Sequence, residues 1–456
     1  MNASTHPAAN GAVPSSRGGV REVVALAFPV VLTQLSATMM GIVDSAMVGR
    51  LGPTQLAAVG FSSIWLWTIF SLVYGTATGV QTFVSQADGA GNERACGPWA
   101  WQSFYAVFPA TALIVLALAP VLTPLLALLG PSPDLQLSAV EYTAARLIGE
   151  LGLAVTMVLT SFFRGLGDTR TPLYVTLLAN AVNAALDYTL IFGEFGFPEW
   201  GVRGAGTATA VSSWVGAAVF IALFRRRKIA QRFDTDPVAP SRAAIARFLR
   251  TGAPIGGQWC VGMTAFACFT TVVARMGDES MAASQAFVML LSLSFMQAMG
   301  ISVAASTLVG RYVGARDPEA VQRTFRSALG VGLALSGAIA VLFVAIPGPL
   351  LRIFTDDSDV MALGRPLLLI GALFQIFDLM GIVSEGALRG AGDTRWPFLV
   401  QTAFGWGFFV PAAYGVGVML DGGLTAAWAA GVVYVGALAF VMVRRFRSGA
   451  WQRISI

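Results

Sequence analysis

"RGLGDTRTP" occupies residues 164–172 and "RGAGDTRWP" occupies residues 389–397. The same charged, glycine-broken phrase is thus written twice in a chain of 456 residues that is 56% hydrophobic and only 12% charged. A shift of 225 residues aligns more than this phrase. Pro29 meets Pro254, "RLGPTQLAA" (50–58) meets "RMGDESMAA" (275–283), and Gly89-Ala90 meets Gly314-Ala315. The register holds over about 145 residues, which reads as an internal duplication of the kind found in transporters.

Around these landmarks, apolar stretches of about 20 residues or slightly more recur at the length a bilayer demands. They predict about twelve transmembrane helices, at 23–48, 56–82, 98–120, 138–162, 172–193, 202–224, 252–274, 283–308, 325–346, 364–387, 397–418 and 423–443. Each copy of the duplication then holds six. Because six is even, the second copy enters the membrane in the same direction as the first, giving a parallel repeat about an axis along the membrane normal. The expected fold class is all-α: a polytopic membrane protein of two parallel six-helix lobes around a central cavity. The expected organisation is a disordered cytoplasmic tail (1–20), an N-lobe (21–224), a basic cytoplasmic linker (225–250), a C-lobe (251–446) and a cytoplasmic C-terminus (447–456).

The formal net charge of +5 does not mark a nucleic-acid binder, because the arginines form no basic domain. They gather at alternate span ends, as the positive-inside rule requires. "RRRKIAQRF" (225–233) follows the sixth span and "RRFR" (444–447) the twelfth, which places both termini in the cytoplasm. The repeated phrase then reads as a cytoplasmic turn. Gly165 and Gly167 end the fourth helix and Gly390 and Gly392 the tenth. Pro172 and Pro397 suit the first turn of the next helix, while Arg164, Arg170, Arg389 and Arg395 anchor the turns at the inner face. On this reading the phrase is architecture, a signal for folding and orientation. Tryptophans near span ends, such as Trp65, Trp99 and Trp200, read as an interfacial belt.

Enzyme chemistry has little footing. The only histidine, His6, lies in the tail, which excludes a histidine relay, haem ligation or a His-based zinc site within the spans. Cys96, Cys260 and Cys268 have no metal-type spacing. With no nucleophile–base pair and no phosphate loop, the expectation is a non-enzyme without cofactor.

Acids inside the membrane demand an explanation, since each costs a few kcal/mol or more at the core. Asp44, Asp187 and Asp378 fall well inside spans; Glu150 can pair with Arg146 at i,i+4, and Glu385 lies one turn from an inner end. Asp44 is six residues before Arg50 at the outer end of helix one, about 9 Å deep at 1.5 Å per residue. Asp187 and Thr209 come to the same level on helices five and six. Asn183 shares a helix face with Asp187, and Asn180 continues that face one turn deeper. Carboxylate, amide and hydroxyl oxygens in one layer suit a hard cation or a shared proton. The duplication supplies a control: at the 225 shift Asp44 faces Phe269 and Asp187 faces Ala412, so the repeat folds without these acids. Asp378 lies about 16 Å above the inner face, near the midplane.

The twelve spans in two parallel halves, "DSAMVGRLG" (44–52) ending helix one, and "RGxGDTRxP" after helices four and ten together resemble the multidrug and toxic compound extrusion (MATE) family. The resemblance covers nearly the whole chain except the tail. It implies a secondary active antiporter in the inner (plasma) membrane, working by alternating access. Such a protein exports cationic or amphipathic organic compounds in exchange for H⁺ or Na⁺. It implies no cofactor, no metal beyond Na⁺ at the coupling site, no nucleic acid, and function as a monomer in the lipid bilayer. Position by position, Asp44, Asn183, Asp187 and Thr209 match an N-lobe cation or proton site, with Asn180 and Asp378 as secondary candidates. Some members pair the acid at Asp378 with a glutamate in helix seven. Here "PIGGQWCVGM" (254–263) has none and Gly262 stands at that position, which turns the resemblance toward the DinF-like branch with N-lobe coupling. Protonation or Na⁺ binding at the acids would release helix one to repack or bend near Pro29. Two other readings are a lipid-linked oligosaccharide flippase of the same superfamily and an ion-translocating subunit of a membrane enzyme complex.

Overall fold

The computed structural model describes residues 17–128 and 132–454; the expected tail lies, up to residue 16, outside the described residues. Among the described residues the chain is helical without strands, and twelve helices are long and apolar enough to cross a membrane. They are α1 (Val20–Gly49), α2 (Pro53–Gly89), α3 (Glu93–Leu128), α4 (Pro133–Gly165), α5 (Arg170–Phe192), α6 (Gly201–Phe224), α7 (Arg242–Ala274), α8 (Asp278–Gly314), α9 (Pro318–Ala345), α10 (Ser358–Gly390), α11 (Arg395–Met419) and α12 (Gly423–Arg447). A helix satisfies its backbone internally, which is what a span without water requires.

The predicted punctuation is where the helices turn. α4 ends at Gly165 and α10 at Gly390, and Gly167 and Gly392 take left-handed φ values of 79° and 89° that L side chains rarely adopt. Pro172 and Pro397 fall in the first turns of α5 and α11. Most helices outrun their hydrophobic stretches. α7 begins at Arg242, where the Ser241 hydroxyl caps it by accepting from Ala244 N at 3.3 Å, so its first turns and a short helix, Arg227–Phe233, fall within 225–250. α11 departs from the ordinary helix that its pattern predicts: Gly405–Phe409 and Gly415–Met419 are wound as π-helix. Four glycines and Pro411, which has no N–H to give, weaken the regular ladder there.

Each six-helix half has clusters of its own, joined by a few side chains from the other. Phe70, Tyr74, Phe162 and Phe220 are fully buried in one cluster drawn mainly from α2, α3, α4 and α6, with Phe248 of α7 added; Phe269, Phe287, Phe325 and Phe446 fill two clusters of the second half, one of which takes in Val23 and Ala27 of α1. The halves meet through α1 against α8 and α2 against α7. Glycine makes that contact close. A Cβ on Gly75 would stand 2.6 Å from Gly256 Cα, and one on Gly79 would stand 2.9 Å from Gly252 Cα. Gly300, the repeat partner of Gly75, lies against Val31 and the Ala27 carbonyl in the repeat-related α8–α1 contact. Small residues substitute for the hydrophobic drive that lipid removes.

Candidate functional site

α1 and α5 run side by side in the same direction and are tied at two levels. Asn180 Nδ2 donates to Ser36 Oγ at 2.8 Å and to the Ser36 carbonyl at 3.1 Å. Two turns further along both helices, the carboxyls of Asp44 and Asp187 come within hydrogen-bonding reach of one another. Asn183 Nδ2 donates to Asp187 Oδ2 at 2.9 Å, across the i,i+4 spacing of one helix face. Asp187 is 0% exposed and Asn183 5%. One oxygen of each carboxyl, Oδ1 of Asp44 and Oδ1 of Asp187, is buried without a partner.

Two charged carboxylates cannot rest in this arrangement alone. At about 4 Å two unit charges repel by about 4 kcal/mol even at an effective dielectric of about 20. One proton or one small hard cation between them removes the repulsion and satisfies the orphaned oxygens. Thr209 is not linked to the acids by a hydrogen bond; its hydroxyl donates to the Ala205 carbonyl in its own helix at 3.0 Å, leaving only lone pairs to offer. Asp378 stands apart in the other half, half-buried, with Tyr434 of α12 as an ionisable neighbour.

A second polar group flanks the pair, and the sequence reading reached only part of it. Arg146 Nε lies 3.3 Å from Glu150 Oε1, the predicted i,i+4 pair. Tyr74 of α2 donates its hydroxyl to Glu150, and Arg146 Nη1 donates to Tyr142 Oη at 2.9 Å and Ser63 Oγ at 3.1 Å. The charge of Arg146 also reaches Asp44. Glu385 is resolved likewise: it pairs with Arg389 one turn along α10.

The repeated phrase does more than turn the chain. Thr82 of α2 donates to the Arg389 carbonyl at 3.0 Å, and Thr307 of α8, its partner in the 225 shift, donates to the Arg164 carbonyl at 2.9 Å. Each half thereby bonds the turn of the other. Gln86 Nε2 reaches the Gly390 carbonyl at 2.9 Å, and its repeat partner Arg311 reaches the Leu166 carbonyl at 2.8 Å while pairing with Asp88 at 3.0 Å. Gln81 Nε2 adds a bond to Thr307 Oγ1 at 2.9 Å. This pseudo-symmetric latch closes the face of the molecule that carries the repeated turns. The alignment of Thr82 with Thr307 at the 225 shift was legible in the sequence; that each meets the other half's turn was not.

Comparison with known proteins follows the same symmetry. The MatE family model matches twice, at residues 29–189 and 254–414, two segments separated by the same 225 residues. The probable multidrug resistance protein NorM of Thermotoga maritima is 34% identical over 447 residues, covering 96% of this chain and 94% of that one. A transporter of the MOP superfamily from Pyrococcus furiosus superposes with a TM-score of 0.87 at 21% identity over 96% of this chain and 98% of that one. A MATE crystal structure in a bent conformation does so with a TM-score of 0.87 at 22% identity, over 96% and 97%. A doubled family match over most of the length, on two six-helix lobes joined by glycine-lined contacts, means that this chain belongs to the MATE family of multi-pass membrane transporters.

Proposed function

We propose that the chain is an antiporter of the inner (plasma) membrane that exports cationic or amphipathic organic compounds in exchange for H⁺ or Na⁺. Its relatives' name as multidrug resistance proteins supports the cargo class. The sign of the interior supports it too: Asp44, Asp187 and Asp378 are acids, and the one deep arginine, Arg146, is neutralised by Glu150. A flippase for a pyrophosphate-linked lipid needs free cationic groups in that place. The arginine-rich face, with the latch and both chain ends, lies in the cytoplasm by the positive-inside rule.

One observation carries the coupling: two carboxyls on different helices, in reach of one another, each with an orphaned oxygen. The coupling ion is a substrate here, and the chain's residues do the work. With the latch closed, an ion arriving from outside settles between Asp44 and Asp187, with Asn183 holding Asp187 in place and Asn180 fixing the adjacent turn of α1. Asp44 is then freed from repulsion, and α1 repacks on α5. Pro29 lies inside α1 without interrupting it, and Thr33 already bonds the Pro29 carbonyl at 2.8 Å, so a bend there is inexpensive. Repacking of α1 disturbs its contact with α8, and α8 carries Thr307 and Arg311 of the latch. Ion and cargo therefore bind different states, and each disfavours the other.

Uptake of a fluorescent organic cation into inverted vesicles tests this reading. An imposed H⁺ or Na⁺ gradient is expected to drive uptake by the native chain and to fail with Asp44→Asn. Gradient-driven uptake by Asp44→Asn at the native rate overturns it.

A further inference from the structure

Between α10 and α12, at the end that carries the repeated turns, lies a groove of about 600 Å³. Its walls are apolar: Phe377 and Met380 on α10, and Gly436, Phe440 and Val443 on α12. Phe440, on the groove wall, is 64% exposed. At the mouth stand Arg444 and Arg447, both exposed and, among the described residues, without an acidic partner. Their neighbour Arg445 shows the contrast, because it turns inward to Asp393 at 2.8 Å and lies over the Trp396 ring.

The other lobe provides a control within the same molecule. The corresponding α4–α6 contact is closed: Gly152, the 225-shift counterpart of Phe377, lies against the backbone of Ser213 and Trp214, and the Trp214 indole N–H donates to the Ile148 carbonyl at 3.0 Å. In the C-lobe Phe377 stands in that glycine's place, beside Gly436, and the groove lies open. A groove of this size within the bilayer suits an apolar occupant, and two exposed arginines at its end offer an anion charge-assisted hydrogen bonds. Basic pockets between transmembrane helices near a membrane face suit anionic lipid headgroups.

We propose that this groove is a binding site for an anionic phospholipid, with an acyl chain along Phe377, Gly436 and Phe440 and the phosphate held by Arg444 and Arg447. Bound lipid would brace α12 against α10, the helix whose end forms one of the latched turns.

The test is native mass spectrometry of the purified full chain, titrated with phosphatidylglycerol and, separately, with phosphatidylcholine. The native chain is expected to retain phosphatidylglycerol preferentially. Arg444→Gln/Arg447→Gln is expected to bind it about thirtyfold less tightly, the conversion of about 1 kcal/mol for each arginine. Gly436→Phe, which fills the groove and leaves both charges in place, is expected to lose it as well, whereas Arg225→Gln/Arg226→Gln retains it. Equal retention of the two lipids by the native chain overturns the proposal. So does undiminished binding by Gly436→Phe, which would reduce the effect to diffuse attraction by basic residues. Circular dichroism melting without added lipid confirms that each variant is folded, so that lost binding is read from folded protein.

Discussion

Replacing Thr82 and Thr307 together by valine isolates the latch. Valine keeps the shape of threonine and removes only the hydroxyl, so each substitution deletes one bond to the opposite lobe's turn, of 3.0 Å and 2.9 Å respectively. A neutral hydrogen bond of this kind contributes about 1 kcal/mol net. Thr307 Oγ1 also accepts from Gln81 Nε2 at 2.9 Å, so the pair removes three bonds between the lobes, about 3 kcal/mol of the closed state, and shifts the equilibrium about 150-fold toward opening on that face. A protein with about 1% of molecules open would move to about three-fifths. Spin labels at exposed Arg94 and Arg316, one on each lobe beside the latch, make the shift measurable by pulsed electron resonance, as a second, longer distance gaining amplitude. Thr111→Val is the control, because that hydroxyl donates to Val107 within its own helix at 2.9 Å and crosses no interface. An unchanged distance distribution in the double variant, or an equal change in the control, would refute the assignment of these threonines to lobe closure.

Other outcomes follow from the same geometry. Asp187→Asn is expected to abolish gradient-driven transport, whereas Thr209→Ala lowers it less than about threefold, since the Thr209 hydroxyl already serves Ala205; vesicle uptake distinguishes the two. Arg146→Met is expected to destabilise the protein by about 3 kcal/mol by leaving Glu150 buried and unpaired, and Arg146→Met/Glu150→Met to recover most of the loss, read from thermal unfolding in detergent. Gly75→Val forces its side chain into Gly256 Cα, so it is expected to hold the α2–α7 contact apart and enrich the long-distance population in the same spin-label measurement.

The hydrophobic spacing and the 225-residue register were enough to place twelve helices and two parallel lobes, because a bilayer admits only spans of set length and direction. The cost of an idle acid in lipid singled out Asp44 and Asp187, and i,i+4 spacing joined Asn183 to Asp187 and Arg146 to Glu150. Local spacing on one helix is written in the chain itself. What it does not contain is the rotation of one helix against another. Only the packed lobes brought Asp44 to Asp187, turned Thr209 back upon its own helix, and supplied Tyr74 to Glu150. The same holds for the phrase at 164–172 and 389–397. Its glycines and prolines announced a turn, but its backbone carbonyls carry no sequence signature, and their partners Thr307 and Thr82 lie 143 and 307 residues away, where only tertiary contact could join them.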